Sequence, residues 1–134
     1  MPKPKSSESD LVKAARKAQK FAQAPYSNYR VGAALLAGDG RIFTGANVES
    51  SSYGLSVCAE RVALFKALSE GADGFTKLVI VTDSYPPASP CGACRQLLWD
   101  YARDVKIILA GKNGVTVKTK ITDLMPRPFG TEDL

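Results

Sequence analysis

The chain has no histidine among its 134 residues, and only three cysteines, two methionines and one tryptophan. Without imidazole it lacks the side chain most often used as general base and metal ligand, so acid–base or metal chemistry has to rest on thiolates and carboxylates. Three cysteines leave one unpaired in any disulfide scheme, and two of them are only three residues apart, which argues against a disulfide-stapled secreted fold. A reducing compartment, the cytoplasm, is expected. No hydrophobic run approaches the roughly 20 residues that span a bilayer. Residues Met1 to Asp10 are polar and carry no apolar signal core, so no membrane partner is expected. Dense basic stripes with interleaved aromatics are missing too, despite a formal charge of +5: Lys3 and Lys5 sit in the N-terminal tail, and Lys112, Lys118 and Lys120 flank a hairpin. The charge reads as a solvated surface with no nucleic-acid partner.

A 45% hydrophobic composition suffices for one core. The expected organisation is a tail over residues 1–9 and a single domain over 10–134. Asp10 can cap a helix from about Leu11 to Gln23, with Leu11, Ala14, Ala15, Ala18, Phe21 and Ala22 at helical spacing and Pro25 ending it. Val31 to Leu36 and Arg41 to Val48 read as strands of a hairpin turned at Asp39-Gly40. A second helix is expected from near Val57 to Glu70, closed by Gly71. Leu78 to Thr82, short and continuously apolar, has the pattern of a strand covered on both faces and is placed at the sheet centre. A third helix from about Cys91 to Ala102, strands over Val105–Leu109 and Val115–Lys120, and at most a short helix over Thr122–Met125 follow. The order α-β-β-α-β-α-β-β predicts an α/β fold: a three-layer α/β/α sandwich around a five-stranded mixed sheet.

The cysteines fall in two patterns, Cys58-Ala59-Glu60-Arg61 and Pro90-Cys91-Gly92-Ala93-Cys94, each where a helix starts after a loop. Helix N-termini favour ionised sulfur, and the three-residue spacing of Cys91 and Cys94 puts both on one side of a turn, within reach of one ion. Alone, C-x-x-C also describes a redox pair or half of a structural zinc site. A structural zinc normally takes four protein ligands; with three cysteines and no histidine, a metal here keeps an open position unless a carboxylate or another subunit fills it. Cys58 and Glu60 would diverge in mid-helix, so both can face the metal only by straddling an irregular helix start.

C-A-E-R followed by S-P-C-G-A-C-R-Q resembles the signature of the cytidine deaminases that act on free nucleosides, and the likeness runs from Pro25-Tyr26-Ser27 to Phe129-Gly130. The resemblance implies one zinc per chain on Cys58, Cys91 and Cys94. It makes a zinc-bound water the nucleophile at C4 and Glu60 the proton shuttle, so that cytidine and 2′-deoxycytidine give uridine, 2′-deoxyuridine and ammonia in pyrimidine salvage. Arg61 is expected to hydrogen-bond a ligand sulfur and offset the net −1 of three thiolates on Zn2+. Asn47 and Glu49 would bind the sugar hydroxyls, with Val48, Ser50, Ser51, Ser52 and Tyr53 along the same pocket, partly from a neighbouring subunit. The Ala59 N–H would hold the pyrimidine O2. Phe129 would reach into the adjacent subunit's site, and the family's short-chain members are homotetramers. Tyr29 departs from the pattern, since relatives usually carry phenylalanine there; its hydroxyl needs a partner.

Overall fold

Ser7 opens the first helix because its hydroxyl and the Asp10 carboxylate satisfy each other's backbone: Ser7 Oγ accepts from the Asp10 N–H at 3.1 Å, and Asp10 accepts from the Ser7 N–H at 3.2 Å. In this computed structural model, which describes residues 6–134, helix α1 therefore spans Glu8–Gln19. It starts three residues before the expected point, and the expected boundary at residue 9 falls inside it. Asp10 is the reciprocal partner of the cap, not the cap itself. Because α1 ends at Gln19, Phe21 leaves the apolar stripe and is 70% exposed. Lys3 and Lys5 lie outside the described residues.

Strands β1 (Gly32–Leu36) and β2 (Ile42–Ala46) form the expected hairpin, with Gly40 at φ 91° in its turn. β3 (Lys77–Val81) lies at the centre, antiparallel to β1 and parallel to β4 (Lys106–Ala110); β5 (Thr116–Lys120) closes the sheet antiparallel to β4. The order is β2-β1-β3-β4-β5, a five-stranded mixed sheet. Helix α1 covers one face, burying Leu11 and Ala15 against Val79, Val81 and Ile108. Helices α2 (Ala59–Ser69) and α3 (Gly92–Tyr101) cover the other, with Leu64 and Leu98 against Leu35, Ile80 and Ile107. The single turn α4 (Ile121–Leu124) follows β5. Among the described residues no helix is long and apolar enough to cross a membrane.

Two glycines set how closely the helices lie. A Cβ on Gly32 would stand 2.1 Å from the Ala15 carbonyl oxygen, and one on Gly45 would stand 2.5 Å from that of Ala59. Gly45 thus seats the first turn of α2 directly on β2, which fixes where Cys58, Ala59 and Glu60 stand.

Candidate active site

The cysteines resolve the spacing problem by their place at the helix ends. Cys58 is the N-cap of α2 and Cys91 the N-cap of α3, both with extended backbone, while Cys94 lies buried in the first turn of α3. Cys58 is therefore outside the helix and Glu60 two residues inside it, and the two side chains converge. Cys58 Sγ is 3.7 Å from Cys91 Sγ, Cys91 Sγ is 3.5 Å from Cys94 Sγ, and all three sulfurs lie within 4.8 Å of one another. Three sulfurs held tetrahedrally at about 2.3 Å from one zinc are about 3.8 Å apart, whereas a disulfide needs about 2.0 Å. The donor set fits zinc, and among the described residues the cluster supplies three ligands, leaving one coordination position open.

The charges are arranged around Cys58. A hydrogen bond with Cys94, then one from Arg61, brings the Cys58 thiol down to about 5 against the opposing effect of burial. The same bond with Cys58 and burial push the Cys94 thiol up. Arg61 Nη2 donates to Cys58 Sγ at 3.5 Å, the sulfur contact expected of it, and its Nε is buried without a partner among the described residues. Glu60 is only 6% exposed; burial first, and the neighbouring Cys58 thiolate after it, raise its carboxyl above the ordinary range. A buried carboxyl poised nearer its neutral form is suited to accept and return protons.

Above these groups opens a cleft of about 430 Å³. Cys58, Ala59, Glu60 and Cys91 form its floor, and Tyr29, Asn47, Glu49 and Tyr53 its walls. Asn47 and Glu49 carry structural as well as cleft-facing roles. Asn47 Oδ1 accepts from the Val31 N–H at 2.9 Å and its Nδ2 donates to the Tyr29 carbonyl at 2.7 Å. Glu49 accepts from the N–H groups of Tyr26 and Ser27 at 3.0 and 3.1 Å and from the Ser27 hydroxyl, which together hold its carboxyl below the usual range. Each splices the 26–31 segment to the end of β2, yet the second Asn47 amide hydrogen and further Glu49 lone pairs stay available. Tyr29 has its hydroxyl partner: its Oη is 3.2 Å from Ser84 Oγ, itself 2.8 Å from Thr82 Oγ1.

Some expected residues stand outside this chain's own cleft. The Val48 side chain lines a separate cleft with Phe21 and Val62, while its backbone pairs with Val57. Ser50, Ser51 and Ser52 do not line this chain's cleft; Ser50 Oγ accepts from the Ser52 N–H, and the Ser50 N–H donates to Ser56 Oγ, so two of these serines are engaged within their own loop. Phe129, 57% exposed, also stands outside the cleft of its own chain. Conversely Val31, Ser56, Ile80, Thr82 and Ser89 line it without having been singled out from the sequence. For Thr82 a signal existed, because it follows the carboxyl end of a central strand, where open α/β sheets bind ligands.

Three thiolates with an open coordination position, beside a buried carboxyl and under a nucleoside-sized cleft, define a metal-dependent hydrolytic site on an α/β/α sandwich. Residues 5–111 match the family model for the cytidine and deoxycytidylate deaminase zinc-binding region. Cytidine deaminases from Sporosarcina psychrophila and Halalkalibacterium halodurans are 43% and 44% identical over 125 residues each, spanning 92% of this chain and 92% and 95% of theirs. The crystal structure of cytidine deaminase from Burkholderia pseudomallei superposes with a TM-score of 0.89 at 42% identity, covering 92% of this chain and all of the other. The chain belongs to the cytidine deaminase family and is a zinc-dependent deaminase.

Proposed function

We propose that this chain hydrolyses cytidine and 2′-deoxycytidine to uridine, 2′-deoxyuridine and ammonia in cytoplasmic pyrimidine salvage, with its three thiolates around one zinc and Glu60 as the catalytic acid–base group. The observation that carries the reading is the convergence of Cys58, Cys91, Cys94 and buried Glu60 on one cleft floor. Zinc bound to the three thiolates supplies a Lewis acid that makes water nucleophilic near neutral pH. Glu60 takes one proton from the attacking water and places it on ring N3. It takes the second from the new hydroxyl on C4 and places it on the departing amine, so both water protons leave the oxygen and ammonia is released. The Ala59 N–H, in the first turn of α2 where helix N–H groups lack helical partners, holds the pyrimidine O2. Asn47 and Glu49 take the sugar hydroxyls with their unused donor and acceptor capacity. Arg61 offsets the surplus charge of the thiolates, and Tyr29 lies along the base with its hydroxyl kept on Ser84.

The chain works as a homotetramer in which Phe129 completes a neighbour's cleft. Its exposed ring, standing outside its own cleft, supports that reading. Glu60→Gln tests the chemistry: about one zinc per chain is retained while cytidine turnover, followed by ultraviolet absorbance and ammonia release, falls by at least about 10²-fold. Unchanged turnover in that variant removes Glu60 from the reaction.

A further inference from the structure

The C-terminal segment is clamped along α3, yet its one aromatic ring is left in solvent. Arg95 Nη1 donates to the Leu124 carbonyl at 3.2 Å, and Gln96 Nε2 donates to the Phe129 carbonyl at 2.9 Å. Arg103 pairs with Glu132 at 2.6 Å and lies 3.9 Å over the Trp99 ring. Gly130 is pressed between them: a Cβ there would stand 2.5 Å from Glu132 Oε2 and 2.7 Å from Trp99 Nε1, and that buried indole nitrogen has no partner among the described residues. Gly130 has an extended backbone at φ −155°, so its glycine is required by space and not by conformation. The anchors follow α3 as the segment does, from Arg95, next to Cys94, through Gln96 and Trp99 to Arg103 just past the helix end.

A segment that gained its order from burying its aromatic would place the ring inside. Here the Phe129 carbonyl and the Gly130 N–H that follows it are both hydrogen-bonded, and the ring is 57% exposed. Holding an exposed aromatic on an immobile backbone cuts the ordering cost of whatever it later contacts. We propose that Gln96, Trp99 and Gly130, with the Arg103–Glu132 pair, form a latch whose work is to present the Phe129 ring to the nucleoside in a second copy's cleft. This rests on the reading that Phe129 acts in a neighbour. The latch members are positioning residues, and they tie that ring to the helix that also carries Cys91 and Cys94.

The test compares Phe129→Ala, Gly130→Ala, Gln96→Ala and the Phe129→Ala/Gly130→Ala double variant, with steady-state cytidine kinetics, zinc content and sedimentation for each. Phe129→Ala is expected to raise KM about tenfold, the size of one aromatic contact, with kcat and zinc content unchanged. Gly130→Ala is expected to raise KM by a similar factor, Gln96→Ala by a smaller one, and the double variant no further than Phe129→Ala alone. Trp99→Leu added to Gly130→Ala makes room for the new methyl and is expected to recover part of the KM. If Phe129→Ala leaves KM unchanged, the reading that Phe129 reaches a neighbour's nucleoside falls. If Phe129→Ala raises KM while Gly130→Ala and Gln96→Ala do not, or if the double variant is additive, the latch is overturned and the neighbour reading stands. Should Gly130→Ala fold poorly, Gln96→Ala, which removes the hydrogen bonds to the Phe129 carbonyl and to Asp100 Oδ1, decides against Asp100→Ala, which removes only the second: equal KM values in the two overturn the latch.

Discussion

Arg61→Ala removes the guanidinium that reaches the thiolate cluster, across 3.5 Å from Nη2 to Cys58 Sγ. Two unit charges at that distance attract by about 5 kcal/mol at an effective dielectric of about 20. Only part of this is lost in the variant, because water enters the vacated space and the N–H groups at the starts of α2 and α3 remain beside the sulfurs. Groups that orient and neutralise metal ligands typically account for about 10- to 100-fold in metal affinity, or about 1.4–2.7 kcal/mol. Arg61→Ala is expected to weaken zinc binding by that factor, measured by competition with a chelating dye. Arg61→Lys, which keeps a charge but not the planar fork, should fall between the two. The pH dependence adds a second readout. The Cys58 thiol, held at about 5 by Cys94 first and Arg61 second, rises when Arg61 is removed, so protons compete with zinc at higher pH. The gap between variant and native affinity therefore widens as pH falls from about 8 to about 6. Zinc affinity within about twofold of native across that range would refute the charge-compensating role of Arg61.

Two further outcomes follow from the geometry. The Ser27 hydroxyl, with the N–H groups of Ser27 and Tyr26, holds the Glu49 carboxyl below its ordinary 4.5, so its anionic contribution is present above that value and is lost as pH falls through the lower folded one. KM of the native enzyme should stay flat above about pH 5 and rise only in acid, whereas Glu49→Gln should show a raised KM at neutral pH without the acid rise; equal neutral KM values would remove Glu49 from sugar binding. Gly45→Ala drives a methyl to 2.5 Å from the Ala59 carbonyl and 2.7 Å from the Ala63 nitrogen, both backbone atoms that cannot swing aside. Because α2 must shift and carries Cys58 and Glu60 with it, stability should drop by about 1–3 kcal/mol in thermal melts together with zinc content; a variant that melts and loads zinc like the native chain contradicts the close seating.

Periodicity made the order of elements legible, and the continuous apolar run at Leu78–Thr82 located the central strand, because a strand covered on both faces has no polar alternation to show. Helix ends were less legible for local reasons. Ser7 and Asp10 are both good cap residues three apart, and only their mutual hydrogen bonds decide that Ser7 is the cap. At the other end helical spacing continues through Phe21 after the helix has stopped at Gln19. The cysteine cluster was readable because its chemistry is rare in this chain. The walls of the cleft were not, since their contacts join distant segments: Asn47 meets the backbone of residues 29 and 31, and Glu49 that of residues 26 and 27. The serine run lies outside its own chain's cleft, with the Ser50 hydroxyl and the N–H groups of Ser50 and Ser52 bonded within the loop, while Ile80 sat in an apolar strand that gave no sign of facing a ligand.

The same physics explains why cysteine occupies both helix starts. An N-cap residue normally accepts, through its side-chain oxygen, a hydrogen bond from the orphan N–H groups of the first turn, and losing that bond costs about 0.5–2 kcal/mol. Cys58 and Cys91 make no side-chain cap hydrogen bond. Two helices thus begin without the usual stabilisation, at the point where two thiolates and a buried acid are brought together at a cost in like-charge repulsion and desolvation. A divalent cation removes that repulsion and lends the sulfurs a fixed position at both helix starts, so metal binding stabilises the fold as well as supplying the chemistry. The local rules of helix capping are broken where the reaction requires sulfur, and the surroundings compensate: Gly45 in the neighbouring sheet brings β2 under α2, and Arg61 of α2 itself brings a cation to the thiolate.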